Sequence, residues 1–391
     1  MMAAELSEVL FSPVTVVLYG LAMAAYLYAM AFTRVDRADG DAAVAGVRGQ
    51  RIATALAIAG LTTHLGHLVA RSVASGGRVP WGNMFEYSSV MAFGVVLAGV
   101  VVFQWRLKRP EVVGFLILGG LLTMGAAALV WSEPGPLVAI LQSHWLKIHV
   151  FAIMTAATIF TVAFIFNGLF LLRDTAERRV VRAQEDRPAV AGGAYDRPMT
   201  DVADPVTTAV EGRRNPDDLE AGDHDRMYGD ALRAAISPLW LFIGTWAGTA
   251  TIAWTFWYAG DVNRFFTVNT SVALAALVAW RFVHRLPSAT TLDSLTYRTI
   301  SFGFPVWTFA VLAGAIWAEQ SWGRYWGWDP KETSAFLTWI GYAAYLHARA
   351  TRGLRGRGSA WVGIGAFWIL MFTYFTVNLV VTGLHSYAGL Q

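Results

Sequence analysis

The chain is dominated by apolar runs of about twenty residues, the length that an α-helix needs to cross about 30 Å of hydrocarbon. A soluble protein of 391 residues would not contain so many of them. The composition agrees, because 55% of the residues are hydrophobic and only 15% are charged. We therefore predict an all-α fold, a polytopic integral membrane helical bundle of about ten transmembrane helices, with eight as the lower alternative.

The predicted spans follow one another along most of the chain. They lie at about 13–33, 51–71, 87–105, 112–131, 146–172, 236–258, 268–286, 299–318, 333–350 and 360–382. The sixth and seventh spans have the least certain apolar pattern, and a count of eight would omit them.

Lysine and arginine are concentrated in alternate loops, which sets the predicted orientation. One set of loops holds the segment 173–235 and Arg34, Arg37, Arg48, Arg51, Arg106, Lys108, Arg109, Arg281, Arg285, Arg298, Arg352, Arg355 and Arg357. The positive-inside rule puts this set in the cytoplasm, and it puts both termini and the 322–332 loop on the extracytoplasmic side. The small net charge of +3 is then a matter of topology, so we predict membrane lipid but no nucleic acid as a partner.

Residues 174–235 differ in composition from the segments on either side. They are rich in Arg, Asp, Glu, Gly and Pro, and such a segment cannot bury enough apolar surface to fold alone. We predict a flexible cytoplasmic linker between N-terminal membrane helices in 1–173 and C-terminal membrane helices in 236–391. The chain has no cysteine, which excludes disulfides, thiolate zinc and iron–sulfur clusters, so any thiol chemistry must come from a partner.

The segment from Trp322 to Glu332 is the main candidate for a functional site. Its first half combines Trp322, Tyr325, Trp326 and Trp328 with two glycines, which let a backbone approach whatever lies on the rings. Trp and Tyr also collect at membrane interfaces, but there they are scattered over many helix ends. Their density in one loop favours a binding surface.

The second half of the same segment predicts the start of a helix. Asp329, Pro330 and Glu332 fit the N-cap, N1 and N3 positions of a capping box, with proline where proline is tolerated. The next helix is therefore expected to begin at Pro330.

His149 and His385 are the best candidates for iron ligands. With the orientation above, both lie at the outer surface, at the level of the aromatic loop. A planar iron porphyrin takes axial nitrogen ligands above and below the iron, and aromatic rings beside it. Each histidine alone would be read as an interfacial residue facing water, but together with the loop they favour haem ligation.

The other histidines lie elsewhere along the predicted helices. His347 is about fourteen residues, or about 20 Å, into the ninth span, where it fits either a helix–helix hydrogen bond or a second cofactor site completed by another helix or protein. His64 and His67 share a helix face, but no third metal ligand is apparent, so structural roles are favoured. The histidines expected to have no functional part are His144, His224 and His284.

At these residues the chain resembles a known family. The run from Trp322 to Glu332 looks like the tryptophan-rich WWD motif of haem-handling membrane proteins. Its surroundings resemble the CcsA/ResC branch of system II cytochrome c biogenesis, which is called CcsB in some bacteria. The segments that carry the resemblance are Pro80 with 83–86, then 143–150, 294–305, 339–347 and 377–387.

The resemblance implies a haem site. In that family, two extracytoplasmic histidines flank the WWD loop as axial haem ligands, and by position these are His149 and His385. A membrane-embedded histidine after the motif serves a second haem site, and His347 matches it. The remaining haem-binding positions would be Trp322, Tyr325, Trp326, Trp328 and Asp329.

The resemblance also implies an activity, partners and a location. The chain would be the haem-handling subunit of a holocytochrome c synthase in a bacterial cytoplasmic membrane, with no catalytic residue assigned. Haem b, as both substrate and bound cofactor, would move to the outer face for thioether attachment to the CxxCH motif of an apocytochrome c. The implied partners are a CcsB/ResB-type membrane protein, apocytochrome c and a thiol-reducing thioredoxin-like protein.

Two other functions remain open at this point. A membrane b-type cytochrome would carry electrons from quinol, but such proteins place histidine pairs in facing helices, and here only His347 is deep. A haem exporter or chaperone would hand haem to a separate ligase, as the related protein CcmC does. The sequence separates these alternatives poorly.

Overall fold

The computed structural model of the protein describes residues 2–32, 40–136, 142–185, 229–257, 262–351 and 353–377, together with 381 and 383. Over these residues every regular element is a helix, and no strand occurs. The all-α prediction is therefore confirmed. Most of the predicted linker, and His224 with it, lies outside the described residues.

The described part of the fold consists of α-helices with short π-helical and 3-10 segments. The α-helices are α1 (Met2–Val9), α2 (Val16–Phe32), α3 (Gly40–Ala74), α4 (Met84–Ala98), α5 (Val113–Leu129), α6 (His144–Glu185), α7 (Pro238–Trp257), α8 (Val262–Arg281), α9 (Ala289–Trp322), α10 (Pro330–Thr351) and α11 (Arg357–Phe372). π-Helical segments at Leu10–Thr15, Gly99–Arg106 and Thr373–Val377 continue α1, α4 and α11. Short 3-10 turns at Pro110–Val112 and Val283–Arg285 precede α5 and follow α8.

Each predicted span coincides with a helix in its described part, but fewer than ten of these helices are strongly apolar. Among the described residues, six helical stretches are long and apolar enough to cross a membrane: Met2–Ala31, Gly46–Ala74, Met84–Arg106, Pro110–Ala128, His144–Arg182 and Ala289–Trp322. The other four predicted spans correspond to α7, α8, α10 and α11. Among these, α11 has only 16 residues, and α10 carries Lys331, Glu332 and Arg349, which lowers its hydropathy.

Local sequence explains why the helices around the aromatic loop begin and end where they do. The side chain of Asn83 caps α4 by accepting a hydrogen bond from the backbone N–H of Glu86 at 2.9 Å. Helix α9 ends at Gly323, whose left-handed conformation (φ 70°) turns the chain out of the helix. The loop that follows therefore begins at Gly323, after the end of α9, and ends where α10 begins at Pro330.

The long pairing of α6 with α9 holds together the segments on either side of the predicted linker. Gly303 allows close packing here, since a Cβ at that position would lie 2.9 Å from the Phe160 ring. Phe160 in turn stacks on Tyr342 of α10, with the ring centroids 3.7 Å apart. This stacking joins α6 to the middle of α10.

Candidate functional site

A cavity of about 390 Å³ lies beside the aromatic loop. Such a volume falls within the rough range of 300–1,000 Å³ that is usual for small-molecule sites. Its walls come from residues 77–87, the first turns of α6, the C-terminal half of α9, the loop itself, the start of α10 and the end of α11 with its π-helical continuation. The aromatic and basic lining residues are Trp81, Tyr87, Trp307, Trp317, Tyr325, Trp326 and Tyr374 with Arg78, Lys147, His149 and Lys331.

His149 is the predicted iron ligand that the structure places on the cavity wall. Its Nδ1 lies 2.7 Å from the backbone carbonyl oxygen of Ala310 in α9. Because a carbonyl oxygen can only accept, Nδ1 donates this bond, and in the neutral ring the lone pair is on Nε2. A backbone carbonyl on one ring nitrogen is the usual arrangement that fixes the tautomer of a histidine that binds metal through the other.

Gly314 makes room for the imidazole of His149. A Cβ at this position would lie 2.7 Å from Nδ1 and 2.8 Å from Cε1 of the ring. Ala310 and Gly314 are four residues apart, so they share one face of α9. One turn of α9 therefore both orients the ring and leaves the space in which it sits.

The four aromatic residues predicted for the loop have different surroundings. Tyr325 and Trp326 line the cavity. Trp328 is 67% exposed and meets the edge of Trp326, with the centroids 5.9 Å apart. Trp322 does not line the cavity. Its ring packs against that of Trp317, a residue that does line the cavity, with the ring centroids 4.9 Å apart.

The predicted capping box is present at the start of α10, as the helix begins at Pro330. One carboxylate oxygen of Glu332 accepts the backbone N–H of Asp329 at 3.0 Å and that of Gly327 at 2.8 Å. These two bonds lie on either side of Trp328, which has a left-handed backbone conformation (φ 58°) that is unusual for an aromatic residue. Asp329 is buried and its side chain faces the N–H of Lys331 at 3.4 Å, so the structure gives it the role of a cap.

A buried cluster of charges supports one edge of the cavity. Glu86 is fully buried and accepts hydrogen bonds from Arg71 at 3.0 Å and from Arg78 at 2.6 and 2.9 Å. Two guanidinium groups against one carboxylate leave a formal charge of +1 at this edge. The backbone N–H of Gly82 also bonds to Glu86, at 2.7 Å, which fixes the loop that carries Trp81.

Lys331 adds a further cation to the cavity wall. Burial lowers the pKa of its ammonium group to about 8, and the nearby Asp329 opposes part of that shift. The side chain of Lys147 also lines the cavity but is exposed to solvent.

The other candidate histidines either do not line the cavity or lie outside the described residues. His347 is exposed on the side of α10 and does not line the cavity. His385 lies outside the described residues. His64 and His67 are buried between α1, α2, α3 and α4, where they bond to Tyr19, Ser89 and Ser7. Within the part of the chain that the structure describes, no group of three metal-ligating side chains occurs.

Sequence reasoning missed several residues of the cavity. Trp81, Tyr87, Trp307, Trp317 and Tyr374 lie on four different segments and meet only through helix packing. Trp81 and Tyr87 lie on either side of segment 83–86, which is one of the segments that resemble the CcsA/ResC branch. The other three stand in ordinary apolar runs, and no local pattern distinguishes them from core residues.

Comparison with known proteins defines the class of the molecule. Residues 81–385 match the family model described as "Cytochrome C assembly protein". The helices long enough to cross a membrane and the matched region together define a membrane protein with a role in cytochrome c maturation.

Curated relatives narrow the assignment. The chain is 30% identical over 317 residues to the cytochrome c biogenesis protein CcsA of Picosynechococcus sp., which covers 80% of each protein. It is 30% identical to CcsA of Crocosphaera subtropica over 85% of this chain and 86% of the relative. A shorter match of 103 residues to CcsA of Trichormus variabilis reaches 52% identity, over 26% of this chain and 29% of the relative. The chain belongs to the CcsA family.

Proposed function

We propose that this protein is the haem-handling subunit of a membrane cytochrome c synthase, and that the cavity beside His149 receives haem b as substrate. The observation that carries the proposal is the setting of His149. It lies on the wall of an aromatic cavity, with its Nδ1 proton directed to the Ala310 carbonyl and its lone pair on Nε2. This donor is suited to an axial position on haem iron.

The second axial ligand in this proposal is His385. Although His385 itself is outside the described residues, Gly383 lies next to the start of α10, because a Cβ on it would be 2.6 Å from Oδ1 of Asp329. The chain two residues before His385 is thus close to the aromatic loop. This contact supports a site with one ligand from α6 and one from the C-terminus.

The aromatic loop would then supply the flat surface beside the porphyrin. Tyr325 and Trp326 line the cavity directly, Trp328 meets the edge of Trp326, and Trp322 supports Trp317. Asp329 acts through the helix cap. Polarisable rings against the macrocycle and two imidazoles on the iron would orient the substrate and keep the iron reduced.

The chemistry of the synthase is an addition that needs positioning more than a catalytic group. Each cysteine thiol of the CxxCH motif adds its S–H across a haem vinyl group, so that one C–S and one C–H bond form and no electron acceptor is required. Holding haem at a fixed edge and orientation raises the effective concentration of the two reactants. The thiols must be supplied reduced, and this chain has no cysteine to do so.

Partners and topology complete the proposal. His347 is exposed on α10, so a second ligand for haem in the membrane would have to come from outside the described helices. We assign that ligand to a CcsB/ResB-type membrane protein, with apocytochrome c and a thiol-reducing thioredoxin-like protein as further partners. The chain would cross a bacterial cytoplasmic membrane about ten times, with both termini and the cavity outside and the linker within.

Reconstitution of the full chain with its partner and an apocytochrome tests the proposal. His149→Ala and His385→Ala, each expressed at the wild-type level, should lose the bis-histidine haem spectrum and lower covalent haem attachment by about tenfold or more. His144→Ala is the matched control, since His144 is exposed, lies five residues earlier in α6 and does not line the cavity.

Three outcomes separate this function from its alternatives. Wild-type spectrum and maturation in both variants would disprove the haem site. Haem bound and released to a separate ligase, with no thioether formed by the complex, would identify an exporter or chaperone. Rapid reduction of the bound haem by quinol in the absence of apocytochrome would identify a b-type cytochrome.

A further inference from the structure

We propose that the ammonium group of Lys331 and the indole N–H of Trp326 together anchor the propionate carboxylates of haem in the cavity. The inference rests on the proposed function, because it assumes that the aromatic ligand is haem. It adds an orientation that iron ligation alone does not give, since axial histidines leave the porphyrin free to rotate about the iron.

The first observation is a buried donor on the cavity wall. An indole N–H can only donate a hydrogen bond. The Nε1 atom of Trp326 is buried, and among the described residues it has no acceptor. A buried donor left in this way has lost its hydrogen bonds to water, so an acceptor on the ligand would relieve that cost. The ring lines the cavity, which is where such an acceptor can reach it.

The second observation is a cation on the same wall. Lys331 follows Trp326 by five residues, and both line the cavity. Lys331 is half-buried, and this burial lowers the pKa of its ammonium group to about 8, with Asp329 opposing part of the shift. A carboxylate oxygen entering the cavity would replace part of the hydration that burial removes, and a charge-assisted hydrogen bond is the strongest type available there.

The other cations near the loop fit this role less well. Arg78 directs four of its five N–H groups to Glu86, Gly135 and Val79, so it is largely committed to the buried charge cluster. Arg324 is exposed and lies over the backbone, since a Cβ on Gly327 would be 2.5 Å from its Cζ. Lys147 is exposed, so its charge is hydrated before any ligand arrives.

Esterification of the propionates provides a direct test. The full chain in detergent should bind haem about tenfold more tightly than haem dimethyl ester, which keeps the iron and the ring but has no carboxylate. Lys331→Gln and Trp326→Phe should each lower the ratio of the two affinities several-fold, mainly by weakening haem. Lys331→Arg should keep most of the preference, because a guanidinium also pairs with a carboxylate.

Matched controls make the result specific. Arg324→Gln removes a cation from the same loop without touching the cavity, and Trp361→Phe removes an indole N–H from a side chain that is 58% exposed. Both should keep the wild-type ratio. The anchor is disproved if Lys331→Gln and Trp326→Phe bind haem with the wild-type ratio, or if wild type does not distinguish the ester. Failure of the wild-type chain to bind either compound would instead overturn the proposed function.

Discussion

The histidine pair of α3 and the single histidine at the start of α6 offer a comparison within one molecule. His64 bonds through both ring nitrogens, to Tyr19 at 3.2 Å and to Ser89 at 3.0 Å, and it is fully buried. His67 packs against Phe11 with the ring centroids 4.8 Å apart and is 1% exposed. His149 also bonds to protein, through Nδ1 to the Ala310 carbonyl, but its ring lies on the wall of a cavity.

The two sites differ in the space around the imidazole, and in the proposed function that space is what would let His149 bind haem while the α3 pair stays structural. In the α3 pair, the rings of Phe11 and Phe85 pack against His67, and both imidazoles are buried. At His149, the missing side chain of Gly314 on one side and the aromatic loop on the other leave a volume that a flat ligand can enter. The comparison can be tested by filling the space beside His149 and by removing the hydrogen bonds of His64.

The largest effect is expected from filling the space behind His149. Gly314→Ala places a methyl group 2.7 Å from Nδ1 of the ring, so the imidazole must move and its bond to the Ala310 carbonyl is lost. Loss of such an orienting contact should weaken haem binding by about ten- to a hundredfold. Haem affinity measured by absorbance titration checks this.

Gly168→Ala is the matched control for that substitution. Gly168 also lies within a helix, α6, but a Cβ there meets nothing within 4 Å. It should leave haem affinity unchanged and stabilise the helix by up to about 1 kcal/mol. Equal haem affinity in Gly314→Ala and Gly168→Ala would remove the space around His149 from the explanation.

A smaller effect, in a different property, is expected from the α3 pair. His64→Ala leaves Tyr19 and Ser89 without their shared partner in a closed environment, which should lower the free energy of unfolding by about 1–3 kcal/mol. Haem affinity and spectrum should not change. Thermal unfolding in detergent, followed beside a haem titration, checks both parts, and a changed haem spectrum would show that this pair is part of the site.

The smallest effect is a pH dependence confined to the cavity. Burial lowers the pKa of Lys331 from the ordinary 10.5 to about 8, because the unliganded fold disfavours the charged ammonium group. The free-energy cost of holding this charge is therefore present below pH 8 and disappears as the pH rises towards 10.5. A carboxylate ligand favours the charged form. Haem affinity should therefore be highest below pH 8 and fall by about fivefold between pH 7 and 9.

Two comparisons identify the group responsible for that dependence. In Lys331→Arg the cation stays charged throughout this range, so the haem affinity should be nearly constant. Haem dimethyl ester should show little dependence in the wild-type chain. A slope that persists in Lys331→Arg would point to another titrating group.

Local structure was predictable from the sequence, whereas the set of residues that line the cavity was not. The spacing of Asp329, Pro330 and Glu332 predicted the start of α10 because a capping box is decided within four residues. The helical positions of the spans followed from apolar length alone. No local signal could show that Ala310 and Gly314 would meet His149, since that contact depends on how α6 and α9 pack across 161 residues of sequence.

The same limit explains the histidines and the aromatic loop. His64 and His149 stand in similar apolar surroundings in the sequence, and only the packed neighbours distinguish them. Within the loop, the density of rings marked a segment that borders the cavity, but it could not show that Trp326 would line the cavity while Trp328 is exposed. The resemblance to the CcsA family predicts a role for His149, and its place on the cavity wall supports that prediction.

The two hydrogen bonds that Glu332 accepts from the loop have a consequence for the energetics of ligand binding. One carboxylate oxygen ties the amides on both sides of Trp328 to the first turn of α10, so the strained backbone at that residue is stabilised as soon as the helix forms. Little backbone entropy then remains to be lost when a porphyrin arrives. The loop acts as an extension of a rigid helix, so in the proposed function haem would meet a surface that folding has already shaped.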